Sequence, residues 1–105
     1  MKSTRQELLQ AIKNTIQSID KNGKVILYGS QARGTANQNS DWDLLVLLDK
    51  SKIESVDYDR ISYPLFELGW SEGEQFSPKL YTFNDWEKRS FTPFYKNIKI
   101  EGIVL

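Results

Sequence analysis

The sequence contains no cysteine and no histidine. The first absence excludes disulfides, zinc fingers and thiol chemistry, and the second excludes a serine–histidine triad and the commonest zinc ligand. The 14 Lys and Arg residues balance 14 Asp and Glu residues, so no broad basic surface indicates a nucleic-acid ligand, and we expect none. Carboxylates, hydroxyls, Lys, Arg and glycine backbone remain, and these groups favour hard metal ions and phosphates.

Long apolar runs are also missing from the sequence. No stretch approaches the roughly 20 apolar residues that span a bilayer, and the first five residues are mostly polar, unlike the apolar core of a signal peptide. We therefore expect a cytoplasmic protein with no membrane partner. With 105 residues, 39% of them hydrophobic and 27% charged, the chain is expected to form a single domain over residues 1–105.

Hydrophobic periodicity predicts elements in the order α-β-loop-β-α-β-α, which is typical of a small α/β (α+β) fold with helices packed on a mixed sheet. Continuous apolar runs predict buried strands, and the second of these is expected in the centre of the sheet. The predicted strands are Lys24–Tyr28, Asp41–Leu48 and Phe76–Phe83, the last placed at an edge or bulge by Pro78. The predicted helices are Ser3–Ile19 with a Thr4–Glu7 capping box, Ser55–Trp70 kinked at Pro64, Trp86–Arg89 after Asn84–Asp85 as cap, and Pro93–Glu101.

Aromatic side chains are frequent enough that most of them are expected in the core or between helices rather than stacked on bases. This applies to Trp42, Trp70 and Trp86, and to Phe91, Phe94 and Tyr95 beside the last helix. Side chains alternate across a strand, so Trp42 is expected to face away from the aspartates on either side of it. The charged residues of the last helix are expected to form a solvated face: Lys96, Lys99 and Glu101.

Two carboxylates at strand spacing form one part of the most informative segment. Asp41 and Asp43 stand two residues apart at a strand entrance, so their side chains project to the same face. Their mutual repulsion favours a cation between them, and Mg²⁺ commonly joins one or two carboxylates to substrate phosphates. By itself such a pair is more often a solvated strand end, so its meaning depends on what lies beside it.

A glycine-containing turn forms the other part of the segment. Gly29 closes the first predicted strand and Ser30 begins a helical turn, which leaves backbone N–H groups free to bind an anion. Gly29 lets a phosphate approach the backbone closely, the Ser30 hydroxyl adds a donor, and Arg33 can supply a planar cation. A Gly-Ser turn alone is ordinary, but ten residues separate this one from the acidic pair, and a metal–triphosphate complex fits between the two.

The segments Gly29–Gly34 and Ser40–Leu44 together resemble the minimal nucleotidyltransferases of the DNA polymerase β superfamily, whose motif is Gly-Ser, a spacer and Asp-x-Asp. Residues 92–102 also resemble the tail of stand-alone bacterial members. The resemblance implies that a nucleoside monophosphate, AMP from ATP, moves to a protein or small-molecule acceptor while pyrophosphate leaves. It also implies that the turn holds the β- and γ-phosphates and that the two aspartates bind Mg²⁺ or Mn²⁺.

The sequence departs from this family in one respect. The superfamily places a third carboxylate on a later strand, but the predicted strand Phe76–Phe83 contains no Asp or Glu. Glu74, just before that strand, is the nearest substitute and Glu67 the next. Alternatively, Lys79 pairs with one of the two aspartates and takes the place of the metal charge.

The missing acid keeps a second interpretation open, in which the chain is a catalytically weak or inactive nucleotide-binding or regulatory module. The family resemblance adds a partner to it, because minimal members often pair with a helical protein of the HEPN type in toxin–antitoxin systems. The chain is too short to build both walls of an acceptor cleft, so we expect a helical protein partner or a homodimer. A purely structural domain would leave Asp41 and Asp43 unexplained.

Overall fold

A four-stranded mixed sheet organises the molecule, which is known from a computed structural model that describes residues 3–105. Residues 1 and 2, which belong to the polar start of the sequence, lie outside the described residues. The strands are β1 (Lys24–Tyr28), β2 (Trp42–Leu48), β3 (Phe76–Thr82) and β4 (Ile103–Val104). Their order in the sheet is β3-β2-β1-β4, in which β2 and β3 are parallel and the other neighbours are antiparallel. The predicted mixed α+β fold is therefore confirmed.

The helices lie close to their predicted positions. They are α1 (Arg5–Ile19), α2 (Ser30–Arg33), α3 (Ser55–Asp57), a π-helical turn (Tyr58–Ser62), α4 (Tyr63–Ser71), α5 (Phe83–Glu87) and α6 (Pro93–Glu101). The Thr4–Glu7 capping box is present at the start of α1. Pro64 follows the π-helical turn, and its missing N–H accounts for the break in the regular hydrogen-bond pattern there.

Apolar side chains cover both faces of β2, as its continuous apolar sequence predicted. Leu44 and Val46 are fully buried in a cluster with α1 and α4, whereas Leu45 is fully buried in a second cluster with α5 and α6. Pro78 lies in β3 at the edge of the sheet, where a residue without an N–H donor is tolerated. The two clusters fix β2, and with it the position of Asp43.

Several local expectations were wrong. Trp70 and Phe91 are 64% and 76% exposed, although they were expected to be packed. Helix α5 begins at Phe83 because the Thr82 hydroxyl accepts from the Asp85 N–H, so Thr82 is the N-cap in place of Asn84–Asp85. The pairing of β4 with β1 was not predicted, because a strand of two residues is too short to show the alternation of side chains that indicates a strand.

Among residues 3–105, no helix is both long enough and apolar enough to cross a membrane.

Candidate active site

The end of β1 and the beginning of β2 lie side by side because the two strands are antiparallel. In this register Tyr28 pairs with Asp43, so the turn that leaves β1 starts directly beside the acidic pair. The structure therefore places Gly29 and Ser30 close to Asp43, although more than ten residues separate them in sequence.

Gly29 is required at this position for two independent reasons. Its φ of +74° lies in the left-handed region that side chains disfavour. In addition, a Cβ atom on Gly29 would lie 2.3 Å from Oδ2 of Asp43, well inside contact distance. The carboxylate of Asp43 thus packs against the bare backbone of the turn, which only glycine permits.

A short ordered loop spans the distance from the turn to the acidic pair. Helix α2 ends at Gly34, whose φ of +78° places it in the left-handed conformation of a helix C-cap. A second turn follows, in which the Asn37 N–H donates to Ser40 Oγ at 3.0 Å and the Ser40 N–H donates to the Asn37 carbonyl at 3.1 Å. The ten-residue spacer thus contains a helical turn and a polar turn.

The acidic pair is electrostatically unfavourable as it stands. Burial raises the pKa of Asp43, and the neighbouring negative charges of Asp41 and Glu101 raise it further. The positive charges of Lys79 and Arg33 act in the opposite direction without cancelling this shift. A carboxylate with a raised pKa is short of positive charge, so the site is suited to a cation.

Two hydroxyl-bearing residues surround the aspartates. Burial and the charge of Asp43 raise the pKa of Tyr28 to about 12, so its phenol stays protonated. Ser77, which pairs with Asp43 across β2 and β3, donates from its hydroxyl to Oδ2 of Asp41 at 3.3 Å. Asp41 itself is exposed. Sequence analysis did not include Ser77 or Tyr28 in the site.

Lys79 lies on the same face of β3 as the site, but its ammonium group lies over the ring of Phe94, 5.0 Å from the ring centroid. Within the described part of the chain, no ion pair joins Lys79 to either aspartate. Its charge lowers the pKa of Asp43 from a distance. The direct pairing suggested by the sequence is therefore absent.

Glu101 is a further site residue that sequence analysis did not include. It was expected on a solvated helix face, but its carboxylate accepts from the Gly29 N–H at 3.2 Å and from Arg33 Nη1 at 3.0 Å. This contact joins the last residue of α6 to the turn after β1. No local pattern predicts it, because it depends on the pairing of β4 with β1 that follows Glu101 in the chain.

The proposed substitutes for a third acid lie elsewhere. Oε2 of Glu74 accepts from the indole N–H of Trp42 at 3.1 Å, and Trp42 is buried in the cluster with α1 and α4, on the opposite face from Asp43. Trp42 faces away from the aspartates as expected. Glu67 is exposed on α4.

A family model described as a nucleotidyltransferase domain matches residues 9–105. The chain belongs to the nucleotidyltransferase-domain family. A comparison with curated proteins gives no match to this nucleotidyltransferase domain. Membership assigns the general reaction, transfer of a nucleoside monophosphate, and domains of this family generally use a nucleoside triphosphate and divalent metal ions.

The donor groups of this nucleotidyltransferase domain fit one such metal. Among residues 3–105, no group of three or more His, Cys, Asp or Glu side chains is arranged to hold an ion. Two carboxylates suffice for Mg²⁺, which commonly takes its other ligands from water and from substrate phosphates. Asp41 and Asp43 lie close enough to repel each other, and among residues 3–105 no ion pair joins either of them to a cation, which favours such an ion between them.

Proposed function

We propose that this domain transfers AMP from ATP to a hydroxyl group of a protein or small-molecule acceptor, with Asp41 and Asp43 as the metal-binding residues. The observation that carries the proposal is the packing of Asp43 against the backbone of Gly29. This contact puts a carboxylate whose negative charge is not balanced by neighbouring cations directly beside a turn whose N–H groups can bind phosphate.

The turn and the start of α2 supply the phosphate-binding groups. Gly29, Ser30 and Arg33, together called the phosphate cradle below, offer backbone N–H groups, a hydroxyl and a guanidinium on one short segment. The N–H groups of Ala32 and Arg33 already donate to the Gly29 carbonyl, so the backbone donors proposed for phosphate are those of Gly29 and Ser30. The guanidinium of Arg33 can bind two phosphate oxygens at once.

Asp41 and Asp43 would hold a divalent ion between themselves and the triphosphate. A bound Mg²⁺ or Mn²⁺ neutralises charge on the phosphates and lowers the pKa of an acceptor hydroxyl. The protein residues supply positioning: the fixed strand β2 aims Asp43, and Ser77 orients Asp41 through its hydroxyl. Neither Glu74 nor Glu67 enters the proposed set, because both lie away from this face.

The acceptor would be held by another chain. The site is open to solvent on the side of Asp41 and Arg33, both of which are exposed. A cleft that excludes water needs a second wall, and in this proposal a helical protein partner or a second copy of the domain provides it. A protein partner could itself present the hydroxyl that accepts AMP.

A second candidate function is nucleotide binding without turnover, as in a regulatory module. It is favoured by the lack of a three-acid group among the described residues and by Lys79 on the face of β3 that meets the site. Both candidates predict nucleotide binding, and only the first predicts transfer.

Incubation with ATP labelled at the α-phosphorus, in the presence of Mg²⁺ and candidate protein acceptors, separates the two functions. We expect label on the acceptor with the wild-type chain and about 10²–10³-fold slower labelling with Asp43→Asn. Asp59→Asn is the matched control, because Asp59 is an exposed acid in the π-helical turn, outside the site. Nucleotide binding without transfer would instead support the regulatory module, and equal transfer by Asp43→Asn would overturn the proposed site.

A further inference from the structure

The carboxylate of Glu101 already lies on two groups of the phosphate cradle. Oε1 accepts from the Gly29 N–H at 3.2 Å, and the two carboxylate oxygens lie 3.3 and 3.0 Å from Nη1 of Arg33. These are the backbone donor and the cation that the proposed function assigns to phosphate oxygens. A carboxylate and a phosphate bind the same kinds of donor with similar geometry.

The fold holds Glu101 in this place. The Gly102 N–H donates to the Ile98 carbonyl at 2.8 Å and ends α6, and Ile103 then pairs with Leu27 of β1. Gly102 is tightly enclosed, since a Cβ atom there would lie 2.5 Å from the Ile98 oxygen. The backbone of Glu101 is therefore anchored on both sides, and only its side chain is free to change rotamer.

Two features of its surroundings disfavour a negative charge at Glu101. It is the last residue of α6, where the helix dipole disfavours an acid. Its negative charge also repels that of Asp43, as does the charge of Asp41. Within residues 3–105 these acids do not form a three-ligand metal group. Among residues 3–105, the hydrogen bonds and the ion pair of Glu101 are those to Gly29 and Arg33.

We infer that Glu101 is an internal competitor of the nucleotide: it occupies the phosphate cradle in the free domain and has to rotate away before a triphosphate binds. This inference rests on the proposed function, because it takes the cradle to be the phosphate site. The side chain of Glu101 is 22% exposed and that of Arg33 is 50% exposed, so an exit toward solvent exists. A competitor that fills the cradle about 90% of the time weakens triphosphate binding about tenfold.

Calorimetric titration with inorganic tripolyphosphate and with Mg²⁺–ATP tests the inference. Glu101→Gln keeps the size of the side chain but removes its charge, and we expect it to bind both probes about tenfold more tightly than the wild type. Asp59→Asn removes one distant negative charge and should bind like the wild type, which controls for net charge. Equal or weaker binding by Glu101→Gln than by the wild type would overturn the inference.

A second measurement separates this inference from the proposed function. In the wild-type chain, the ¹³C signal of the Glu101 carboxyl group should shift when tripolyphosphate is added, because the carboxylate loses Gly29 and Arg33. Saturable binding that leaves this signal unchanged would overturn the inference while the proposed phosphate site stands. Absence of binding by the wild type and by folded Glu101→Gln alike would overturn both.

Discussion

Opposite ends of β2 carry two acidic clusters that differ in how their charge is balanced. Beyond the end of the strand, Asp57 is buried and its carboxylate accepts from Lys50 Nζ at 2.8 and 3.0 Å and from the Glu54 N–H at 2.8 Å. Nη1 of Arg60 lies 3.6 Å from Oδ1 of Asp57. Burial raises the pKa of Asp57, but the Lys50 and Glu54 hydrogen bonds and the two positive charges outweigh it, so the pKa is lowered.

The cluster at the beginning of β2 has the opposite balance. Asp43 is only partly buried, yet its pKa is raised, because burial and the charge of Asp41 outweigh the more distant cations. Arg33, the cation of the phosphate cradle, is paired with Glu101 instead. An acid paired with cations stabilises the fold, whereas a carboxylate that is partly buried beside another acid is a candidate ligand-binding group. Variants at the two ends should therefore separate stability from activity.

The largest effect is expected on catalysis. Asp43→Asn should reduce nucleotidyl transfer about 10²–10³-fold, which is typical of losing one essential electrostatic group. Its thermal stability should be unchanged or higher, because the repulsion with Asp41 is removed. Transfer assays and thermal unfolding of the same preparation measure both, with Asp59→Asn as control. Unreduced transfer, or a marked loss of stability, would remove the contrast between the two clusters.

Asp57→Asn should show the reverse pattern. It leaves the positive charges of Lys50 and Arg60 without their buried partner, so we expect a loss of about 2–4 kcal/mol in the free energy of unfolding. Urea denaturation gives this value, and transfer measured well below the melting temperature should persist. The adjacent Asp59→Asn should stay within about 0.5 kcal/mol of the wild type. A wild-type stability for Asp57→Asn would show that this cluster is not structural.

Divalent metal should stabilise only one of the clusters. Mg²⁺ at ten times its dissociation constant should raise the free energy of unfolding of the wild type by about 1.4 kcal/mol. Asp57→Asn should gain as much, and Asp43→Asn should gain little. Denaturation with Mg²⁺ and with a chelator measures the difference. The same gain in all three proteins would place the ion elsewhere.

The smallest effect is the pH dependence of the structural cluster. The pKa of Asp57 is lowered on folding from its ordinary 3.8. The contribution of its carboxylate to the free energy of unfolding is therefore present above that value and is lost as pH falls through the folded pKa. The difference in stability between the wild type and Asp57→Asn should be constant near neutral pH and shrink below about pH 4. Urea denaturation at several pH values tests this, and a difference that persists in stronger acid would contradict it.

The strands, the capping box and the position of the acidic pair could be predicted because each depends on residues that are neighbours in sequence. The sequence placed the Gly29 turn and the acidic pair on neighbouring strands, but the direct packing of Asp43 on the Gly29 backbone was not predicted. Glu101 could not be predicted, since its place depends on the two-residue strand β4 and on tertiary pairing. Exposure of Trp70 likewise depends on which face of α4 the neighbouring elements leave uncovered.

The most direct test of the account is the binding of Mn²⁺, a paramagnetic substitute for Mg²⁺, followed by electron paramagnetic resonance with and without a non-hydrolysable ATP analogue. The account predicts that the wild type binds Mn²⁺ and that the analogue strengthens this binding. An Asp41→Asn, Asp43→Asn double variant should lose both, whereas Asp57→Asn should keep both. Unchanged binding of Mn²⁺ and the analogue by the double variant would contradict the claim that these two aspartates hold the metal.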